Sequence, residues 1–204
     1  MSFLKRLLPK PFKQFLWFVF KSPQRKWVGF SSVLSDFKAW CTTRKKPNNV
    51  QAISVCVGIK NRSHNLLSHL IPSLNACANL DLIELSVFDC GSDDVQNLVQ
   101  EIRKAWKGKL VYAEVPQKFA RSISFNAAVK QSTNNLILIC DADMSIPKDM
   151  VKKVNHYTGE YSAWFPQIWF THQDGTGHFL SRGTGIMASQ RQQFLNIGGY
   201  DESI

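Results

Sequence analysis

The stretch that most constrains the fold is Leu136 to Cys140, five apolar residues that stop at two acids, Asp141 and Asp143, with one alanine between them. A run this short and apolar, opened by the turn-forming Thr133-Asn-Asn135, predicts a central strand covered on both faces. The acids then fall at its carboxyl end, the edge where open α/β sheets bind ligands. At about 4 Å and an effective dielectric near 20, two such charges repel by roughly 4 kcal/mol. A cation is therefore expected beside them, and hard carboxylate oxygens suit Mg2+ or Mn2+ better than Zn2+.

Upstream, the same texture repeats. Ile53 to Ile59 predicts a first strand, followed by a polar loop at Lys60 to His64 and a helix from about Asn65 to Asn79. Leu82 to Phe88 predicts a second strand running into Asp89-Cys-Gly-Ser-Asp-Asp94, where Ser92 or Asp93 is expected to cap a helix reaching Trp106. Leu110 to Val115 is a third strand and Ser122 to Ser132 a helix. Pro147 suits the first turn of a further helix ending near Tyr157, and Gly183 to Ala188 leads into a helix from Ser189 to about Ile197. Strands alternating with helices predict an α/β fold, a mostly parallel central sheet flanked by helices. Cys56 and Cys140 are expected in its core, as are Trp164, Trp169 and Phe170 unless one of these offers a ligand a stacking surface.

Charge separates an amino-terminal arm from this domain. The 204 residues carry a formal charge of +10, yet residues 1–49 hold 11 Lys and Arg against the single acid Asp36, while residues 50–204 hold 14 bases and 14 acids. The chain thus reads as a basic, aromatic arm and linker (1–49) followed by a neutral domain (50–204). Neutrality of the domain argues against nucleic acid as partner. Residues 1–30, with Leu4, Leu7, Leu8, Phe12, Phe15 and Val19 near helical spacing among basic residues, fit either a helix on an anionic membrane surface or one packed on the domain. The apolar run Phe15 to Phe20 is too short to span a bilayer, and five cysteines without C-x-x-C spacing predict free thiols in a reducing compartment. The expected location is the cytoplasm, peripheral to the membrane face if the arm binds lipid.

Three strands end in polar groups that a parallel sheet gathers on one edge: Asn61 and Arg62 after the first, Asp89 after the second, Asp141 and Asp143 after the fourth. Arg121 joins them from the loop before the third helix. Cations for phosphates, an acid for a base or ribose, and a carboxylate pair for a metal describe a site for a nucleoside diphosphate.

In that order these residues resemble the GT-A glycosyltransferases, particularly family 2 and, toward the carboxyl end, the beta-1,4-galactosyltransferases. The resemblance covers about residues 50 to 202 and implies a GT-A fold with a Rossmann-like nucleotide-binding half. It places Asn61, Arg62 and Asp89 around the nucleotide and Arg121 on the diphosphate; Asp143 is the metal ligand and Asp141 the acid facing ribose and metal. Phe119-Ala-Arg-Ser122 with Asn126 is similar to the diphosphate segment, and Arg191 to Tyr200 resembles the helix and turn beside the acceptor. The implied activity is metal-dependent, inverting transfer from a nucleotide-sugar, a UDP-sugar by the family pattern, to a glycan or lipid-linked acceptor such as those of polysaccharide biosynthesis. Cys90 stands where many members carry a second acid, and the family's catalytic base lies in a segment beyond the position of Ile204, so the domain is expected to be carboxyl-terminally incomplete.

Two other readings stand beside this one. A chain without the base is a remnant that binds a nucleotide-sugar without turning it over. An apolar strand followed by Asp-x-Asp also resembles the nucleophile motif of haloacid-dehalogenase-type phosphatases, in which the first acid attacks phosphate.

Overall fold

A computed structural model describes residues 49–160, 162–172, 174–180 and 185–203. The arm expected over residues 1–49 therefore lies almost wholly outside the described residues. By internal packing the chain divides into two compact units, Met1–Lys45 and Lys46–Ile204, and the second carries everything below.

Its elements follow in chain order: β1 (Ile53–Ile59), a helix α1 over residues 63–75, β2 (Ile83–Asp89), α2 (Leu98–Ala105), β3 (Lys109–Glu114), α3 (Arg121–Gln131), β4 (Leu136–Cys140), α4 (Met150–Tyr157), β5 (Trp169–Thr171), β6 (Gly177–Phe179), β7 (Ile186–Gln190) and α5 (Arg191–Asn196). The middle of α1 is a π-helical turn, Leu66–Leu70. Five strands form one sheet in the order β3-β2-β1-β4-β7; β5 and β6 make a separate hairpin. The first four strands are mutually parallel, with Ile53 opposite both Ile83 and Leu136.

Burial on both faces explains why β4 reads as a continuous apolar run. Along β4, Leu136, Leu138 and Cys140 enter one core cluster, whereas Ile137 and Ile139 enter the other. The first cluster receives Leu66, Leu70 and Leu74 from α1, Leu98 and Ile102 from α2, and Met150, Val151 and Val154 from α4. The second receives Phe125, Ala128 and Val129 from α3 and Phe194 from α5. Each fully buried Ile or Leu contributes roughly 1.5–3 kcal/mol relative to exposure. A sheet covered on both sides thus follows from strand composition. Cys56 and Cys140 are fully buried, as expected.

The sequence expectations require three corrections. Neither Ser92 nor Asp93 caps α2, which begins six residues after Ser92 behind a left-handed Asn97 (φ 54°). The Ser92 hydroxyl is taken by Asp89, and Asp94 crosses to the amino end of α1, accepting from the Ser63 amide at 3.0 Å and the Ser63 hydroxyl at 2.6 Å. Second, the segment leading into α5 is itself a strand, and the helix starts at Arg191 rather than Ser189: β7 pairs antiparallel with β4, Ile186 opposite Cys140 and Gln190 opposite Leu136. Its Met-Ala-Ser content carries no strong strand preference, and pairing with β4 decides. Third, Trp169 and Phe170 are not core residues; they stand about half exposed on the β5–β6 hairpin.

Candidate functional site

The parallel strands deliver their carboxyl ends to one edge, and two clusters of polar side chains form there. In the first, Asp89 is the last residue of β2 and is 1% exposed. Its Oδ1 accepts from the Ser92 amide (2.9 Å) and hydroxyl (2.7 Å), and its Oδ2 from the Tyr112 hydroxyl (2.9 Å). Burial, reinforced by the neighbouring Asp89 carboxylate, pushes the Tyr112 phenol above its ordinary pKa, so it stays a donor. Asn61 sits in the left-handed region (φ 54°), a conformation asparagine tolerates. Its amide donates to Ser92 Oγ at 2.9 Å and its side-chain oxygen accepts from the Asp93 amide at 2.9 Å. Ser92 therefore ties the Asn61 loop to Asp89. Lys60 reinforces the edge by donating to the carbonyls of Gln117 (2.7 Å) and Cys90 (3.2 Å). Arg62 is exposed beside them, with no ion pair to another described residue.

The second cluster is Asp141, Asp143 and Arg121. Past the end of β4, Ala142 turns into the core and leaves Asp141 half-buried and Asp143 exposed. Arg121, the first residue of α3, pairs with the Asp141 carboxylate and lies over the Phe125 ring at 5.6 Å. Burial raises the Asp141 pKa; the Arg121 charge and hydrogen bond oppose that, and the Asp143 charge adds to it. Asp141 thus carries a charge the fold does not fully compensate.

Both acids and Arg121 open onto a cavity of about 1100 Å3. Much of its remaining lining is apolar: Met144, Ile146 and Met150 near β4 and α4, then Trp164, Trp169 and Phe170. Trp164 stacks on Tyr157 at 5.0 Å and joins β7 by paired 2.8 Å bonds with Ala188. His69 reaches the cavity from α1, whereas His172 and His178 contact each other on the hairpin, ring nitrogens 3.2 Å apart, and do not line it.

The structure thus unites Asp141, Asp143 and Arg121 around the cavity and joins Asn61 to Asp89, with Arg62 alongside. Only the shared sheet edge relates the two groups. Gly185, which the sequence did not single out, and Asn126, which entered only through the resemblance of its segment to the diphosphate loop, also shape the site. A side chain at Gly185 would overlap the Asp141 carboxylate and crowd the Arg121 guanidinium, so any substitution there must displace those two groups. Asn126, 2% exposed on α3, donates to the Tyr200 carbonyl (2.9 Å) and to Glu202 (2.8 Å) and accepts from the Tyr200 amide (2.9 Å). That latch fastens the Gly198-Gly199-Tyr200 turn to the helix that carries Arg121. The Gly-Gly pair and Asn126 were each visible in the sequence; their pairing across 74 residues was not.

Asp141 and Asp143, two carboxylates offering hard oxygens at the cavity mouth, are the residues that could hold Mg2+ or Mn2+. Among the described residues no group of three or more His, Cys, Asp and Glu offers a fuller protein cage.

The family model for Glycosyl transferase family 2 matches residues 54–196. The sequence matches none of the curated proteins. Among solved structures, the chain resembles the mannosyltransferase PcManGT from Pyrobaculum calidifontis in complex with GDP-Man and Mn2+, at 17% identity and a TM-score of 0.57, over 83% of this chain and 55% of that one. It resembles S. aureus TarS 1-349 in complex with UDP and with UDP-GlcNAc, each at 17% identity and a TM-score of 0.50, over 72% of this chain and 49% or 48% of those. The chain therefore spans about half the length of these proteins, and at such identities the likeness is one of fold: the GT-A arrangement.

Proposed function

Because the chain belongs to glycosyl transferase family 2, we propose that it holds the donor half of a glycosyltransferase that moves a sugar from a nucleotide-sugar to a hydroxyl acceptor. The observation that carries this is the convergence of Asp141, Asp143 and Arg121 on one cavity at the carboxyl end of a parallel sheet. In this reading the Asn61–Asp89 loops and Arg62 flank the nucleoside and Arg121 grips the diphosphate. Asp143 and Asp141 would hold Mn2+ or Mg2+, which when bound would supply positive charge to the leaving diphosphate.

Transfer proceeds with inversion. A carboxylate removes the acceptor hydroxyl proton, the oxygen attacks the anomeric carbon from the face opposite the diphosphate, and the glycosidic bond to phosphate breaks. Asp141 and Asp143 are the only acids among the described residues that line the cavity, and both are assigned to the donor. In this reading the base is a carboxylate other than these two. Bound sugar near the acids leaves the aromatic wall for the acceptor, a glycan or lipid-linked saccharide. The basic arm supplies attachment to an anionic membrane face. UDP-sugars are the first donors to try, and the GDP-Man complex of the mannosyltransferase makes GDP the second.

The test is calorimetric titration of UDP and GDP with and without Mn2+. Wild-type chain should bind one of them, tightening with metal, and Asp143→Ala should erase the metal dependence. Equal affinity in the two proteins with and without metal would sink the assignment. Release of nucleoside diphosphate from the corresponding sugar then separates turnover from binding alone.

A further inference from the structure

The cavity continues well past its acids. Helix α4 supplies a second wall through Met150, Lys153 and Tyr157, whose spacing puts them on one helical face. That helix is fastened at the far end of the sheet: the Asn155 side chain accepts from the Gln51 amide at 2.8 Å and donates to the Gln51 carbonyl at 3.0 Å, two residues before β1 begins. Asp141 and Asp143 follow the carboxyl end of β4. The cavity thus runs from the paired acids to a helix anchored at the amino end of the parallel strands.

Charge is laid out along the same line. Among the described residues that line the cavity, the only Lys and Arg are Arg121 and Lys153. Arg121 is engaged by Asp141, which lines the cavity beside it. The Lys153 ammonium pairs instead with Asp149 at 2.8 Å, a residue that does not line the cavity and is more exposed than the lysine, 56% against 39%. An exposed pair one helical turn apart holds its partners only weakly, so an anion entering the cavity can share or take over the ammonium. Beside it the wall is aromatic and fixed: Trp164 stacks on Tyr157 and is bonded to Ala188 through both its amide and its carbonyl. A flat ring surface next to a cation suits a ligand that is itself a ring bearing a negative group. Asp141, Asp143 and a bound diphosphate all repel such a group and Lys153 attracts it, so the field also sets which end of the ligand faces the donor.

We propose that the acceptor is an anionic saccharide, its phosphate or carboxylate bound by Lys153 and a sugar ring resting on Tyr157 and Trp164, with the reacting hydroxyl turned toward the acids. The proposal rests on the donor-site reading above and deepens it by naming the acceptor class and the residue that selects it.

The test reads binding alone. Wild-type chain is titrated by calorimetry with UDP and GDP in the presence of Mn2+. With the preferred nucleotide and metal in place, it is then titrated with two matched pairs of probes, methyl glucuronide against methyl glucoside and glucose-6-phosphate against glucose. At least one anionic probe should bind about fivefold more tightly than its neutral partner, the worth of one partly exposed ion pair, and which pair shows the effect separates carboxylate from phosphate. Lys153→Met keeps the length of the stem without its charge and should erase the preference, whereas Lys153→Arg should keep it. Asp149→Asn removes the competing carboxylate and should enlarge the preference, an effect that a merely structural lysine would not produce. Anionic probes that bind wild type no better than their neutral partners, or a preference that survives Lys153→Met, overturn the proposal and leave the donor-site reading intact. Wild-type chain that binds neither nucleotide overturns both.

Discussion

Asp141 shows how a single residue can be placed against its own stability. Burial raises its pKa above the ordinary carboxylate value, so folding favours the protonated form and the ionised form is penalised. The penalty is absent below the carboxylate range and complete at neutral pH. Asp141→Asn should therefore stabilise the protein by about 0.5–1 kcal/mol at pH 7, an advantage that disappears as pH falls through that range, while metal-dependent nucleotide binding is lost. Thermal melts from pH 3 to 7, run beside the titration, check both halves. Gly185→Ala should act on the same carboxylate from the other side: displacement of Asp141 lowers nucleotide affinity at least tenfold, and a binding curve decides it. The two acids were legible in the sequence because an apolar run ended on them. Gly185 was not, since its importance arises only when β7 lies against β4.

At the scale of elements, the strand ends carried most of the readable information, and the pairings carried the rest. β1 and β4 fell where their apolar runs predicted, because strands buried on both faces have few alternatives. β7 escaped because its five residues mean little until β4 accepts them. Two contacts between elements are exposed to test. At Gly58 on β1 any side chain would strike Ser124 on α3, three residues from Arg121. Gly58→Ala should cost about 1–3 kcal/mol in urea unfolding and also weaken nucleotide binding, since α3 must shift and Arg121 with it. At the opposite end of the sheet, Glu84 (1% exposed) accepts from the Ser54 hydroxyl at 2.7 Å, the Thr133 amide at 2.8 Å and hydroxyl at 2.5 Å, and pairs with Lys109 at 2.7 Å. Burial pushes its pKa up, but these partners more than reverse that and hold it low. The stabilisation is thus present at neutral pH and lost as pH falls through the carboxylate range. Glu84→Ala should cost about 2 kcal/mol by stranding those donors, with nucleotide affinity unchanged because the acid end of the sheet is untouched.

Across the whole molecule, charge and chemistry occupy different parts of the chain: the domain is neutral and the first 49 residues hold the entire excess of +10. Full-length chain should co-sediment with vesicles containing phosphatidylserine at low salt and be released at about 0.5 M, where screening shortens the reach of charge to a few ångströms; indifference to salt would remove the electrostatic arm from the account. Among the described residues no helix is long and apolar enough to cross a membrane.

The latch between Asn126 and the Tyr200 turn has a consequence for how the protein comes into being. A chain leaves the ribosome amino end first, at about 5–20 residues per second, so Asn126 is made roughly 4–15 s before its partner 74 residues later. During that interval β1 to β4 can pair with one another, while the β4 edge that accepts β7 and the faces later covered by α4 and α5 stay open. Arg121 waits on a helix with an open flank until β7 arrives and the glycine turn closes over Asn126. The seat proposed for the ligand is thus completed only after β1 to β4 have been made, and a stalled or nicked product ending before residue 198 would leave that seat unfinished.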